Sequence, residues 1–318
     1  MLCSMQKSVL LGLLAIAAIG CGGNSSGDGV DAMATDDASI PIPDAPPIPD
    51  GYTRLIGRTW TAQAGQQDIY RCVRVTVPED MYITSIIAQA PLGTHHTVLS
   101  VATGLANGPD GEQDCNVGTL GLQMLYASGV GTSPLNFPDG VGIKIAAGTR
   151  IHLNLHLYNG SDQPLGGDSA ILVKAQPTPP PTLAEMVFAG KMNFTIPSSM
   201  PPQDSIIQGG CKVNTAYKLF AVWPHMHKIA KHQRVELTRG TTTMVLHDTA
   251  FDFTEQKYYL QTPEIQVQAN DTINVKCTYF NNTGHDIQYG DSSDDEMCFS
   301  GLYRYPATSS NLFACTSF

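Results

Sequence analysis

Residues Arg150–Leu157 read RIHLNLHL. Successive side chains on a strand point to opposite sides, so His152, Asn154 and His156 share one face and Leu153, Leu155 and Leu157 share the other. This is the pattern of a strand with one apolar face on a core and one polar face left outside. Tyr70–Val77 (YRCVRVTV) alternates in the same way. Further strand candidates are Tyr82–Ala88, Thr97–Val101, Ala170–Lys174, Tyr217–Val222, Thr243–His247 and Thr272–Phe280. No segment keeps a 3.6-residue period over a helical length. Turn signals stand between the strands at Asn107-Gly108, Asp110-Gly111, Pro138-Asp139-Gly140 and Asn159-Gly160. The chain has 318 residues, 42% hydrophobic and only 14% charged, with 30 Gly and 21 Pro. Low charge and many turn residues agree with an all-β fold, and the length suffices for two domains.

The first 21 residues read as a targeting segment. Lys7 precedes an apolar run from Val9 to Ile19 that is short for a membrane span. The run ends in Ala18-Ile19-Gly20-Cys21, which resembles the lipobox of bacterial lipoproteins, with Ala18 where that pattern usually has Leu. The resemblance implies cleavage and lipidation at Cys21. Gly22 in place of Asp implies export to the outer membrane, with the lipid as the only membrane contact. Residues 22–54 are rich in Gly, Ser, Asp and Pro. They cannot bury enough apolar surface to offset chain entropy, so an extended acidic tether is expected. Net charge is −10, which argues against a nucleic-acid partner.

With Cys3 and Cys21 set aside, six cysteines remain: Cys72, Cys115, Cys211, Cys277, Cys298 and Cys315. An even number in an exported chain suggests three disulfides, with fifteen possible connectivities. The stretch Gln176–Thr182 (QPTPPPT) reads as a stiff polyproline linker. It separates residues 55–175 from residues 183–318, each about the size of a β-sandwich.

Histidines fall in three short segments: His95-His96 in THHTVLS, His152 and His156 in RIHLNLHL, and His225-Met226-His227 in WPHMHK. Imidazole suits copper, and a thioether is soft enough to hold Cu(I). His225 and His227 are two apart on a strand and can point at one metal, with Met226 turned the other way into packing. Met297, in SSDDEMC, is a candidate third ligand. His95 and His96 are adjacent, so a regular strand would turn them apart, and a shared metal requires a bulge or different ring nitrogens. On spacing alone either His152 or His156 can complete that set. Elsewhere, His232, His247 and His285 are expected at the surface or in loops, and Asp291–Glu296 (DSSDDE) in a solvated loop.

HHT, LxLHLYN, PHMH and DEMC, in that order, resemble the copper type II, ascorbate-dependent monooxygenases, which include peptidylglycine α-hydroxylating and dopamine β-monooxygenases. The resemblance covers roughly residues 55–318. It implies two jelly-roll-like antiparallel β-sandwiches in tandem with a solvent-filled cleft between two coppers. One copper, for electron transfer, is implied at His95, His96 and His156, which excludes His152. The oxygen-activating copper is implied at His225, His227 and Met297. Also implied are ascorbate or another one-electron donor, O2, and a small-molecule substrate hydroxylated at an activated C–H bond. Cysteine pairs Cys72–Cys115, Cys211–Cys315 and Cys277–Cys298 follow from the same likeness, as does a place for Asn154 near the cleft.

The likeness breaks at two positions. The peptide-amidating enzymes hold a substrate carboxylate with an arginine two residues before HxH and a tyrosine four after the ligand Met. Here those positions are Trp223 and Gly301. An aromatic surface in place of a bidentate clamp points to a small apolar or aromatic substrate. Two other functions compete: a copper-binding or delivery lipoprotein of the same fold, and a structural β-sandwich lipoprotein with incidental histidines. No GxSxG or HExxH arrangement supports a hydrolase.

Overall fold

The structure is a computed structural model that describes residues 42, 45–102, 108–116, 122–308 and 311–317. The targeting segment, Cys21 and most of the acidic tether lie outside the described residues. The described N-terminal half contains β1 (Thr53–Ala62), β2 (Ile69–Thr76), β3 (Met81–Gln89), β4 (Thr94–Ala102), β5 (Gly111–Asp114) and β6 (Leu122–Ser128). It continues with β7 (Leu135–Asn136), β8 (Val141–Ile145), β9 (Arg150–Leu157), β10 (Leu165–Gln176) and β11 (Thr182–Leu183). The C-terminal half contains β12 (Glu185–Lys191), β13 (Thr195–Ile196), β14 (Asp204–Lys212), β15 (Tyr217–His225), β16 (Ala230–Arg239) and β17 (Thr242–Ala250). It ends with β18 (Tyr259–Val267), β19 (Thr272–Phe280), β20 (Ile287–Gln288), β21 (Cys298–Tyr305) and β22 (Cys315–Ser317). No helix occurs among the described residues, as the missing 3.6 period requires. β1 begins at Thr53, inside the stretch expected to be tether. The Pro-rich stretch is held at both ends, by Gln176 in β10 and by β11 running parallel to β8.

Each half stacks two sheets. In the N-terminal half, order β1-β10-β3-β8-β11 faces order β5-β2-β9-β4-β6. Leu153, Leu155 and Leu157 of β9 are fully buried between them, with Ile83, Ile86 and Ile171 from the opposite sheet. In the C-terminal half, order β18-β15-β21-β12-β22 stacks on order β14-β19-β16-β17.

One sheet is covered on both faces. In β12, Val187 and Ala189 enter the C-terminal core, while Met186 and Phe188 enter the core shared with the N-terminal half. β15 divides in the same way, with Leu219 and Val222 inward and Phe220 and Trp223 toward the N-terminal half. This is why KLFAVW and EMVFAG are runs of apolar residues without alternation: a strand buried on both faces has no polar side to show. The loop 251–258 closes the same seam. Val130 N–H donates to Thr254 O at 2.9 Å, Thr132 Oγ1 donates to Gln256 O at 2.9 Å, and Tyr303 Oη donates to Leu125 O at 3.1 Å.

One histidine departs from expectation. His232 on β16 is at the surface, but His247 on β17 is buried with its ring 4.3 Å from that of Tyr259. β17 pairs only with β16, but the neighbouring β18 brings Tyr259 over His247. Burial first, and then the nearby His232, push the His247 pKa down to about 4. Below its ordinary 6.5 the unfolded chain takes up a proton that the folded chain refuses, so stability falls as pH drops from 6.5 toward 4. Going from pH 7 to pH 4.5, His247 is expected to contribute a loss on the order of 2 kcal/mol. Unfolding free energies of His247→Phe at the two pH values should differ less than those of wild type by that amount; an equal difference would remove His247 as the source.

Candidate metal centres

β4 and β9 pair with Thr94 opposite Leu157 and His96 opposite His156, and the register shifts between Thr94 and His96. His95 is the extra residue. This is the bulge that two adjacent histidines need if both are to reach one metal. Nδ1 of His156 lies 3.3 Å from Nδ1 of His95 and 3.2 Å from Nδ1 of His96. Nitrogens held at a typical metal–imidazole distance of 2.0–2.1 Å lie about 3.3 Å apart at a tetrahedral angle, so the donors already stand at ligand spacing. One donor atom from each residue falls within 4.8 Å of the others. On its far side His156 Nε2–H donates to Asp68 Oδ1 at 2.9 Å, which fixes the tautomer and leaves the Nδ1 lone pair able to ligate a metal. Tyr70, opposite His156 in β2, stacks on that ring at 4.6 Å. His152 is four residues along β9, about 13 Å away at strand rise, and takes no part.

The second set converges at the end of β15. The rings of His225 and His227 are 5.4 Å apart and nearly perpendicular. His225 Nδ1–H donates to Gln256 Oε1 at 2.9 Å, and His227 Nδ1–H donates to Asp295 O at 3.1 Å. Both Nε2 atoms are thereby left as the free donors. Met297, 9% exposed, lines the same cavity, while Met226 is fully buried in the C-terminal core. Glu296 corrects the expectation of a solvated acidic loop. It is 1% exposed, and its carboxylate accepts N–H groups from His227 (2.8 Å), Ile229 (2.9 Å) and Met297 (3.3 Å). One side chain therefore ties the HMH turn to the Met297 segment. Burial raises its pKa to about 7 against the opposing pull of those N–H groups.

Burial also governs the imidazoles. It lowers His95 to about 4 and His227 to about 3, and it depresses His96, His156 and His225. All five are neutral at pH 7, the form that ligates a metal.

His96 and His156 of the first set and all three residues of the second line one cavity of about 90 Å³. Where the resemblance implies a solvent-filled cleft, the 251–258 loop places Phe253 and Gln256. The Phe253 ring is 5.3 Å from that of His96 and 6.3 Å from that of His227. Gln256, 2% exposed, bridges the sets, with Oε1 toward His225 and Nε2 2.9 Å from His96 Nε2. A metal on His96 Nδ1 places the proton on Nε2, which then needs the Gln256 oxygen that now serves His225. Filling both sites breaks one arm of this bridge. No motif marks Gln256 in sequence; only the folding of its loop onto residues 129–132 brings it here.

Trp223 and Gly301 are cross-strand partners in β15 and β21. A Cβ at Gly301 would stand 3.3 Å from Trp223 Cε3 and 3.4 Å from Trp223 Cβ. The two departures from the family pattern are thus one feature: loss of the side chain at residue 301 admits the indole. Trp223 is 1% exposed, stacks on His225 at 4.9 Å and lines the cavity. Asn154 lines it too, with Nδ2 donating to Asn116 O at 3.1 Å.

The donor chemistry fits copper: three imidazoles at one centre, and two imidazoles with a thioether at the other. Residues 184–318 match the family described as copper type II ascorbate-dependent monooxygenase, C-terminal domain. No curated protein matches the chain. Among solved structures, one of Broad Bean Stain Virus is 9% identical, covers 88% of this chain and 94% of its own, and has a TM-score of 0.26. One of infectious bursal disease virus, Gt strain, is 8% identical over 87% and 78%, with a TM-score of 0.19. At such scores these structures bear on neither fold nor function.

Proposed function

We propose that this chain, whose residues 184–318 match the C-terminal domain of the copper type II ascorbate-dependent monooxygenases, hydroxylates an activated C–H bond of a small apolar or aromatic substrate. Two copper ions, O2 and ascorbate or a similar one-electron donor serve the reaction. The supporting observation is that His225, His227 and Met297 line one cavity with His96 and His156, whose Nδ1 atoms stand at ligand spacing with His95. Copper bound there supplies one-electron transfer and dioxygen activation. The chain's own residues do the rest. Asp68 holds the His156 tautomer, and Glu296 with the Asp295 carbonyl fixes the His227 turn. Trp223, Val98 and Met124 give the cavity an apolar wall. A carboxylate clamp at residues 223 and 301 is absent, so a glycine-extended peptide is not the substrate. Three disulfides support export, and Cys21 is the proposed lipid anchor at the bacterial envelope.

Copper stoichiometry tests this. Wild type dialysed against copper is expected to hold two ions, and His96→Ala and His225→Ala one each. Wild type should consume O2 with ascorbate once a substrate is supplied. A stoichiometry unaffected by both substitutions would refute the two-centre assignment. Two ions without oxygen uptake would favour copper storage.

A further inference from the structure

The cavity continues along β9 past the metal-binding end. His152 is paired with Ser100 of β4, and Ser100 with Met124 of β6, and all three line the cavity. His152 is 3% exposed and Trp223, also on the lining, is 1% exposed. His152 Nδ1 and Trp223 Nε1 are both buried and have no hydrogen-bond partner. Two unpaired polar atoms on one cavity are costly, since each forfeits roughly 1–3 kcal/mol of hydration. Neither belongs to a ligand set. An indole N–H only donates. Arg74, paired with His152 in β2, has a buried Nε without a partner, and among the described residues no carboxylate pairs with its guanidinium. Its charge helps keep His152 neutral, although burial is the larger cause. With the proton on Nδ1 the neutral His152 ring donates as the indole does, so the lining offers two donors, one of them beside the positive Arg74. The one carboxylate on the lining, Asp291, is two residues from Ser293, whose partner Tyr70 stacks on His156, so it stands at the opposite end.

We propose that Trp223 and His152 form a subsite for a hydrogen-bond-accepting oxygen of the substrate, a carbonyl or a carboxylate, with Arg74 behind them. This rests on the monooxygenase reading and narrows it. The substrate is an apolar or aromatic molecule that carries such an oxygen a short distance from the carbon to be hydroxylated, and a terminal ammonium is disfavoured. The subsite lies between the N-terminal sheet and the indole that occupies one of the two missing clamp positions, with Arg74 on β2 as the cation.

Calorimetric titration of the metal-free full chain tests the subsite apart from copper chemistry. Three probes share a benzyl group: phenylacetone, phenylacetate and phenethylamine. The ketone and the acid are expected to bind about tenfold tighter than the amine, the effect of one buried donor left unpaired. Trp223→Phe keeps the ring and removes the N–H, and it should cut that preference to about a third or less. His152→Phe should do the same, while His152→Gln, which restores a donor, should retain it. Melting curves verify that each variant folds. Equal binding of the three probes, binding of none, or a preference unchanged in both Phe variants would overturn the proposal. Copper counts on the same samples report separately on the monooxygenase reading: two coppers with no probe preference sinks the subsite alone.

Discussion

Met297→Ala is expected to abolish ascorbate-driven hydroxylation and leave copper bound at His95, His96 and His156. The thioether is the only soft donor in the second set, so its loss falls on Cu(I) more than on Cu(II). Losing even an outer partner of a metal ligand typically costs 10–100-fold in affinity, so removing this ligand should weaken Cu(I) by more than about 100-fold. The fold should survive. Met297 is at the cavity rather than deep in the core, and its backbone is held independently, with Tyr279 Oη donating to Met297 O at 2.7 Å. Truncating a buried Met elsewhere costs about 2–5 kcal/mol, and at a cavity wall the lower figure applies. Competition with a Cu(I) chelator and oxygen uptake are the two readouts. Turnover at the wild-type rate would remove Met297 from the reaction.

How much of this was legible in the sequence depends on how many faces of a strand are buried. RIHLNLHL gave both its strand and its faces away, because one side packs with leucines and the other, though also buried, carries the polar residues that line the cavity. The adjacency of His95 and His96 required a bulge, and β4 has one at that point. β12, β15 and β21 gave no period, because both of their faces are covered, so the seam that carries the site had no sequence signature. Gln256 and Phe253 were invisible for another reason: they act through a loop that docks about 125 residues away in sequence, on residues 129–132. Glu296 looked like one acid in a solvated run of them. Its neighbours Asp294 and Asp295 are indeed outside the core, but Glu296 is turned inward by the three N–H groups it accepts. Trp223, expected to offer an aromatic surface to substrate, also packs: it fills the space over Gly301, stacks on His225 and lines the cavity.

Breaking Cys277–Cys298 is expected to cost both stability and the second copper centre. Cys277 is on β19 and Cys298 on β21, in the two stacked sheets of the C-terminal half, and both are fully buried. The bond closes a sequence separation of 21 residues, and chain entropy alone assigns a loop of that size about 3 kcal/mol. Cys211–Cys315, with a separation of 104, encloses that loop, so the two contributions do not simply add. Cys298 directly follows Met297, and Gln233 Nε2 donates to Phe299 O at 2.9 Å on the other side. The Met297 sulfur therefore hangs from a strand end fastened to the opposite sheet at residues 297, 298 and 299. Cys277→Ser/Cys298→Ser should lower the denaturation free energy by about 3 kcal/mol and weaken Cu(I) at His225/His227/Met297, with the three-histidine centre unaffected. Full reduction of all three disulfides should shift the midpoint further. An unchanged midpoint in the double variant, or free thiols at both positions in the native protein, would show that the Met297 strand is braced by hydrogen bonds alone.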